Sequence, residues 1–511
     1  MTNNLRSDYN KLLAKTKDLY VLESAESIIH WDMETMMPPK AVELRSQQLA
    51  LLSRIEHQMS TDPEIGKLLK QATTNPDYDN LNQIEKRNLH LIKKNYDAQT
   101  ALPEKLVEET AKQQAITVNV WKKAKKAKDF SLLKPDLEKL FDLTKQTAEI
   151  LMKVKQTATP YDALIDLYEP KMTAATITTV FGKLQQGLAT LLPKILQTPR
   201  QANQNLPRQT ILLEKQREIS KALAETVGYD VTSPNAAGRI DETEHPFTTG
   251  SYDDVRITTH YYPDDFANSI FSVMHESGHA LYDQNLNQEW KYQPIGTNCS
   301  MGIHESQSRF MENIIGRSRE FWVSFLPKLK KITTPNLDEL ELEPFVNAIN
   351  TVKPSKIRIE ADEVTYNLHI IIRFQIEQDL FADKIKINEL PEVWNQKYQD
   401  QLGLKIEDTA EGAMQDTHWA SGYFGYFPTY ALGNIYSGQI LAKIQQDIPD
   451  WRTQLAQGNL QNITSWLIRN IQSQGNLYDP ADLIKNAVGK ELDSEDYLRY
   501  LGEKYSVLYG F

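Results

Sequence analysis

Ile177, Val180, Phe181, Leu184, Leu188, Leu191 and Ile195 recur at steps of three and four residues. That spacing places all of them on one side of an α-helix and commits the stretch after Thr173 to burying a single stripe. Helix start and stop signals recur through the first half of the chain. Asp62-Pro63-Glu64 sets a capping residue before proline with an acid in the first turn, and Leu102-Pro103-Glu104 opens another helix. Pro38-Pro39 breaks the first long helical region, and Gly228 stops the helix that ends near Val227. Strand signals are few. The best runs from Asp254 to Tyr262, after the turn Thr248-Thr249-Gly250 and before Pro263-Asp264-Asp265, with Asp254, Arg256 and Thr258 sharing one face. The expectation is a mostly α chain with a small β-sheet near its middle. No fixed-period repeat or low-complexity linker divides it, and Lys122 to Lys126 reads as a solvated helix face.

Just after the strand signal, Asp264 or Asp265 can cap a helix from about Phe266 to Asp283, with Ile270, Phe271, Met274, Gly278, Leu281 and Tyr282 along its apolar side. This helix carries His275-Glu276-Ser277-Gly278-His279. Two histidines four apart project from one face and can bind one metal ion. Glu276 would sit beside that metal without ligating it, placed to take a proton from metal-bound water. Zinc suits two imidazoles and one carboxylate with a position left open. His304 and Glu305 are both candidates for the third ligand, in a second amphipathic helix that runs through Phe310, Ile314 and Phe321, and spacing does not separate them. Cys299 reads as a small buried residue rather than a thiolate ligand.

The net charge of −11, without a long acidic or basic block, argues against nucleic-acid binding. A single cysteine permits no intramolecular disulfide and fits a reducing compartment. The N-terminus lacks the basic and apolar pattern of a signal peptide, and no apolar run approaches the roughly 18 residues of a membrane span. A cytoplasmic protein is the expectation.

Six segments make the sequence recognisable. They are His245-Pro246-Phe247, Asp254-Val255-Arg256-Ile257-Thr258, the His275–His279 run, His304-Glu305-Ser306-Gln307, Ile357-Arg358-Ile359-Glu360-Ala361-Asp362, and Gly412 to Trp419. Together with Trp31-Asp32-Met33-Glu34-Thr35-Met36-Met37-Pro38, they resemble the carboxypeptidase Taq family of zinc metallocarboxypeptidases, in the family's order and over nearly the whole chain. The resemblance implies a multi-helix zinc-peptidase fold with a deep substrate groove, and a homodimer. It implies removal of single residues from peptide C-termini, with zinc as the metal and cobalt able to substitute. It also selects Glu305 over His304 as third ligand. On this reading residues 1–511 form one unit, in which 1–230 make a helical portion of the groove wall and 231–511 carry the zinc site and substrate motifs.

A carboxypeptidase must also grip a free carboxylate, a task suited to the fixed fork of arginine donors. Arg358 and Arg256 are the candidates, each with neighbouring acids that offer a purely structural pairing. By analogy with related zinc peptidases, His418 and Tyr426 would donate to the developing oxyanion, and Tyr423 would contact the carboxylate or backbone. His245 stands at the groove or anchors a turn. An exposed edge on the Asp254–Tyr262 strand would let a substrate backbone pair as an added strand. Some related sites place an aspartate four residues after the ligand glutamate. Arg309 stands there instead, which leaves Glu312 as the candidate partner for a ligand histidine. The rival readings are an oligoendopeptidase or dipeptidyl carboxypeptidase with the same metal site, and a catalytically dead peptide-binding scaffold.

Overall fold

The capping residues read from the sequence stand where helices begin. In a computed structural model that describes residues 3–199, 205–206 and 208–511, the first half runs α1 (Asn3–Thr35), α2 (Val42–Ser60), α3 (Pro63–Thr73), α4 (Gln83–Ala101), α5 (Glu104–Ala127), α6 (Phe130–Lys155), α7 (Pro160–Tyr168), α8 (Ala174–Gln197) and α9 (Leu213–Val227). The Asp62 side chain accepts the Glu64 N–H at the start of α3, Thr173 accepts that of Thr176 at the start of α8, and Gly228 ends α9 with φ +93°. All seven residues of the α8 stripe are buried. The lysine-rich face of α5 is not uniformly solvated, because Lys125 donates to the Gln415 carbonyl at 2.8 Å.

Three strands follow, β1 (Gly238–Glu242), β2 (Thr248–Ser251) and β3 (Asp254–Thr259), in the order β1-β3-β2. β3 pairs parallel with β1 and antiparallel with β2, with Thr249 opposite Arg256. The strand with the strongest sequence signal is therefore central, not an edge, and it ends at Thr259. β2, like β1, is paired on one side only. It escapes sequence reading because four residues that include a glycine carry little strand propensity.

The chain then builds α10 (Phe266–Gln284), capped by Asp265, and α11 (Met301–Arg309). A π-helical segment, Phe310–Ile315, continues α11. The second helix expected at Glu305 thus starts four residues earlier, capped by Ser300, and Phe321 belongs to the next element. The remaining helices are α12 (Arg319–Thr333), α13 (Leu342–Ile349), α14 (Tyr366–Phe381), α15 (Leu390–Leu402), α16 (Pro428–Asp447), α17 (Trp451–Ala456), α18 (Gln461–Asn470), α19 (Pro480–Val488) and α20 (Glu495–Tyr509). Among the described residues no helix is long and apolar enough to cross a membrane.

Two glycines let these helices meet at the functional site. A Cβ on Gly278 would lie 2.5 Å from the Gln307 carbonyl, so α10 and α11 approach backbone to backbone there. A Cβ on Gly433 would lie 2.6 Å from Glu305 Cγ, where α16 presses on α11 from its other side. The main apolar core surrounds this junction. A smaller one joins Leu5, Tyr9 and Leu12 of α1 to Ile65, Leu68 and Leu69 of α3 and Leu89 and Ile92 of α4. The C-terminal part of α1 packs across the sheet through Trp31, whose ring faces the Arg239 and Arg256 guanidinium groups at 4.6 and 4.4 Å.

Candidate active site

Four residues apart on α10, His275 and His279 turn their Nε2 atoms toward one carboxylate oxygen. Glu305 Oε2 lies 3.7 Å from His275 Nε2 and 3.4 Å from His279 Nε2. These three residues are the one group of histidine, cysteine and acidic side chains among the described residues whose ligand atoms all lie within 4.8 Å of one another. Metal–ligand bonds of 2.0–2.2 Å in a tetrahedron separate ligand atoms by about 3.4 Å, so the spacing fits zinc.

The lone pairs also point the right way. His275 Nδ1 is 2.9 Å from Glu312 Oε2. Burial alone would raise the Glu312 carboxyl, but the Arg309 guanidinium, His275 and Arg317 hold it down at about 2. An ionised Glu312 accepts a hydrogen bond from Nδ1–H, which in the neutral ring leaves Nε2 as an acceptor facing another acceptor, Glu305 Oε2, the arrangement a cation completes. The π segment explains the reach of Glu312, since its wider turn re-aims the side chain back toward α10. Arg309 donates its Nε to Glu305 Oε1 at 2.7 Å, orienting the other oxygen to the histidines. Despite burial, this arginine and the two histidines hold the Glu305 carboxyl well below its ordinary value. His304 is not part of this ligand group. Its Nε2 pairs with Asp283 Oδ2 at 2.9 Å, and its ring stacks on His279 with centroids 4.4 Å apart.

The ligands open onto a cleft of about 550 Å³. Glu276 lines it, accepting a 2.6 Å bond from the Thr248 hydroxyl of β2. Burial raises the Glu276 carboxyl, against the lowering effect of His275 and Thr248. Pro246, Phe247 and β2 form one wall, and Tyr426, Thr429 and Tyr430 face it.

Other residues singled out from the sequence sit at varied distances from this cleft. Tyr426 lines it, with its hydroxyl pushed by burial to about 12. His418 stands behind the wall, its Nε2 3.1 Å from the Tyr430 hydroxyl, and burial lowers it to about 3, so the ring is neutral. Arg358 is buried, donates twice to Asp416 Oδ1 and once to Tyr366, and lies 5.1 Å over the Tyr430 ring. Arg256 forms a two-bond pair with Asp254 and lines a second, smaller hollow beside the cleft. Tyr423 is 51% exposed, its ring 6.3 Å from that of Tyr426, and it does not line the cleft. His245 is exposed at the bend before β2, while its neighbours Pro246 and Phe247 line the cleft. Tyr430 and Thr248 escaped sequence reading. Tyr430 lies in the first turn of α16 and Tyr426 just before that helix, so no helical spacing links the two in the sequence.

A sequence model of the carboxypeptidase Taq (M32) metallopeptidases matches residues 11–505. Thermostable carboxypeptidase 1 of Thermus thermophilus is 38% identical over 509 residues, covering 98% of this chain and 99% of its own. Carboxypeptidase 1 of Bacillus subtilis is 37% identical, covering 95% of each chain. Among solved structures, the M32 carboxypeptidase of Deinococcus radiodurans superposes with a TM-score of 0.94 at 32% identity, over 99% of this chain and 100% of that one. The Pyrococcus furiosus carboxypeptidase superposes with a TM-score of 0.93 at 35% identity, over 99% of each.

Proposed function

The chain belongs to the carboxypeptidase Taq (M32) metallopeptidase family, and on that footing we propose that this metallocarboxypeptidase uses zinc to release single amino acids from the C-termini of peptides. The observation that supports this most is the convergence of His275 Nε2, His279 Nε2 and Glu305 Oε2 beside Glu276 in one cleft. When bound there, zinc supplies Lewis acidity that polarises the scissile carbonyl and acidifies water; cobalt can take its place.

The chain's own residues do the rest. Glu276 takes the proton of the attacking water and passes it to the leaving amine, and the Thr248 hydroxyl keeps its carboxylate turned into the cleft. Tyr426 and Tyr430 present hydroxyls on the facing wall, where charge develops on the carbonyl oxygen. His418 acts through the Tyr430 hydroxyl. The substrate carboxylate is drawn to the Arg358 side, where that guanidinium lends positive field through the Tyr430 ring. Arg256, Tyr423 and His245 act at the margin, shaping the approach to the cleft. The free edge of β2, rather than β3, is where a peptide backbone would pair, which leaves side-chain choice broad. A cytoplasmic homodimer, with the helical residues 1–230 forming part of the groove wall, completes the reading.

A time course of peptide digestion followed by mass tests it, with zinc, with cobalt and with chelator, on free and C-terminally amidated peptides. Successive loss of single residues from the free peptides, abolished by chelator, is expected. Internal cuts, released dipeptides or equal attack on the amidated peptides would overturn the assignment.

A further inference from the structure

Glu377, on α14, is fully buried and takes no part in the chemistry described so far. Its surroundings are apolar and aromatic, with Phe374 and Phe381 on its own helix and Tyr161, Trp419 and Phe424 packed around them. Burying a carboxylate in such a place costs several kcal/mol unless donors compensate. Three donors do. The Tyr161 hydroxyl bonds Oε2 at 2.7 Å, the Trp419 indole N–H bonds Oε1 at 2.7 Å, and the Gly425 backbone N–H bonds Oε2 at 2.9 Å. None of these is a cation. Arg373, one turn earlier on α14, is committed to Asp416, Gln415 and the His369 carbonyl.

Two of the donors belong to the turn that precedes Tyr426, and the third belongs to α7 behind it. That turn is pressed hard onto α7. Gly425 has φ +83°, and a Cβ there would lie 2.9 Å from the Ile165 nitrogen. The last residue of α7, Tyr168, meets the Tyr426 ring edge-on at 4.9 Å. Glu377 therefore ties the turn to the helix that also supports the Tyr426 ring.

We propose that Glu377 is a positioning residue for peptide hydrolysis, holding the Trp419–Tyr426 turn on α7 so that the Tyr426 hydroxyl stays aimed into the cleft. The inference rests on the role given above to Tyr426. The two groups that can only donate, the Trp419 and Gly425 N–H, face different oxygens, so each oxygen has to accept. Glutamine would turn an N–H₂ toward one of these two donors. Loss of the clamp shifts the turn, and a shift of about 1 Å at a reacting group costs up to roughly 100-fold in rate.

The test is a double-mutant cycle with Glu377→Gln and Tyr426→Phe, reading kcat and KM separately, with zinc content measured for each variant. Glu377→Gln should lower kcat roughly tenfold or more, with KM and zinc content close to those of the parent. In the Tyr426→Phe background it should change kcat by less than about twofold, because the group it positions is gone. Should Glu377→Gln fail to fold, Trp419→Phe removes one donor and leaves the charge, and it should show the same loss of effect in the Tyr426→Phe background. Full kcat in Glu377→Gln, or multiplicative effects in the double variant, would overturn the positioning role while leaving the proposed function intact. Unchanged kcat in Tyr426→Phe would remove both the role of Tyr426 and this inference.

Discussion

The two walls of the cleft are built on opposite electrostatic plans. On the metal side, α10 and α11 are braced by a charged relay in which Arg309 serves both Glu305 and Glu312, Arg317 serves Glu312, and Glu312 serves His275. On the tyrosine side, the neutral ring of His418 contacts Tyr430, and the turn before Tyr426 hangs on a carboxylate met by uncharged donors. The charged pairs on that side, Asp416 with Arg358 and Arg373, lie one layer further back. The difference follows from what each wall must present. A cation demands acceptors of fixed tautomer and negative charge, which only ionised partners hold firmly. A developing oxyanion demands hydrogen-bond donors aimed at it, which the tyrosine hydroxyls supply here.

The largest expected effect falls on the metal side, at Glu276 of α10. Glu276→Gln keeps the shape of the side chain and its place beside Thr248 but cannot accept a proton. A fall in kcat of about 10²–10⁴ is expected, with zinc still bound at one ion per chain by elemental analysis. Activity independent of Glu276 in a zinc-loaded variant would contradict the mechanism. A smaller effect separates the walls themselves. Glu312→Gln removes the charged acceptor from His275 and should weaken zinc binding by about 10–100-fold in chelator competition, so that added zinc recovers most of the activity. Recovery by zinc would be absent on the tyrosine side, where Tyr426→Phe should leave zinc affinity unchanged. If Glu312→Gln lost activity without losing affinity for zinc, the division between the two walls would not hold.

The same division marks how far residue patterns alone reach. His275, His279 and Glu276 sit on one helix, so their relation follows from a periodicity of 3.6 and is readable without any structure. The Asp265 cap and the α8 stripe are readable for the same local reason. Glu305 lies on another helix, and its preference over His304 came from family resemblance, since neighbouring residues on a helix point in different directions only once the helix is oriented. Glu312 was reachable as a candidate, but the π turn that swings it to His275 has no signature in residue type. The tyrosine side was least legible. His418 and Tyr430 touch across a turn containing two left-handed glycines, Gly422 and Gly425, and the partners of that turn lie on α7 and α14, far away in sequence. Long-range pairing of that kind also placed Arg358 against Asp416, out of direct contact with the cleft.

Another buried carboxylate qualifies the contrast and gives the smallest effect. Glu169 lies beneath the metal side, yet it resembles Glu377 in accepting only uncharged donors, the Gly302 N–H at 3.0 Å and the Tyr436 hydroxyl at 2.7 Å. It thus anchors the first turn of α11, the helix that carries Glu305. Burial, against the lowering effect of Tyr436, Ser300 and Gly302, pushes it from 4.5 up to about 7. Between those values the folded protein keeps a proton that the unfolded chain has released. This group's contribution to stability is therefore complete below about pH 4.5 and is lost as pH rises through 7, by at most about 3 kcal/mol. Glu169→Gln cannot titrate, so urea unfolding at pH 5 and pH 7.5 should show the parent losing about 2 kcal/mol more than the variant over that interval. Every other titrating group is common to both proteins and cancels in the difference. Parallel losses would mean that Glu169 is ionised throughout, and the metal side would then be held by charge down to the base of α11.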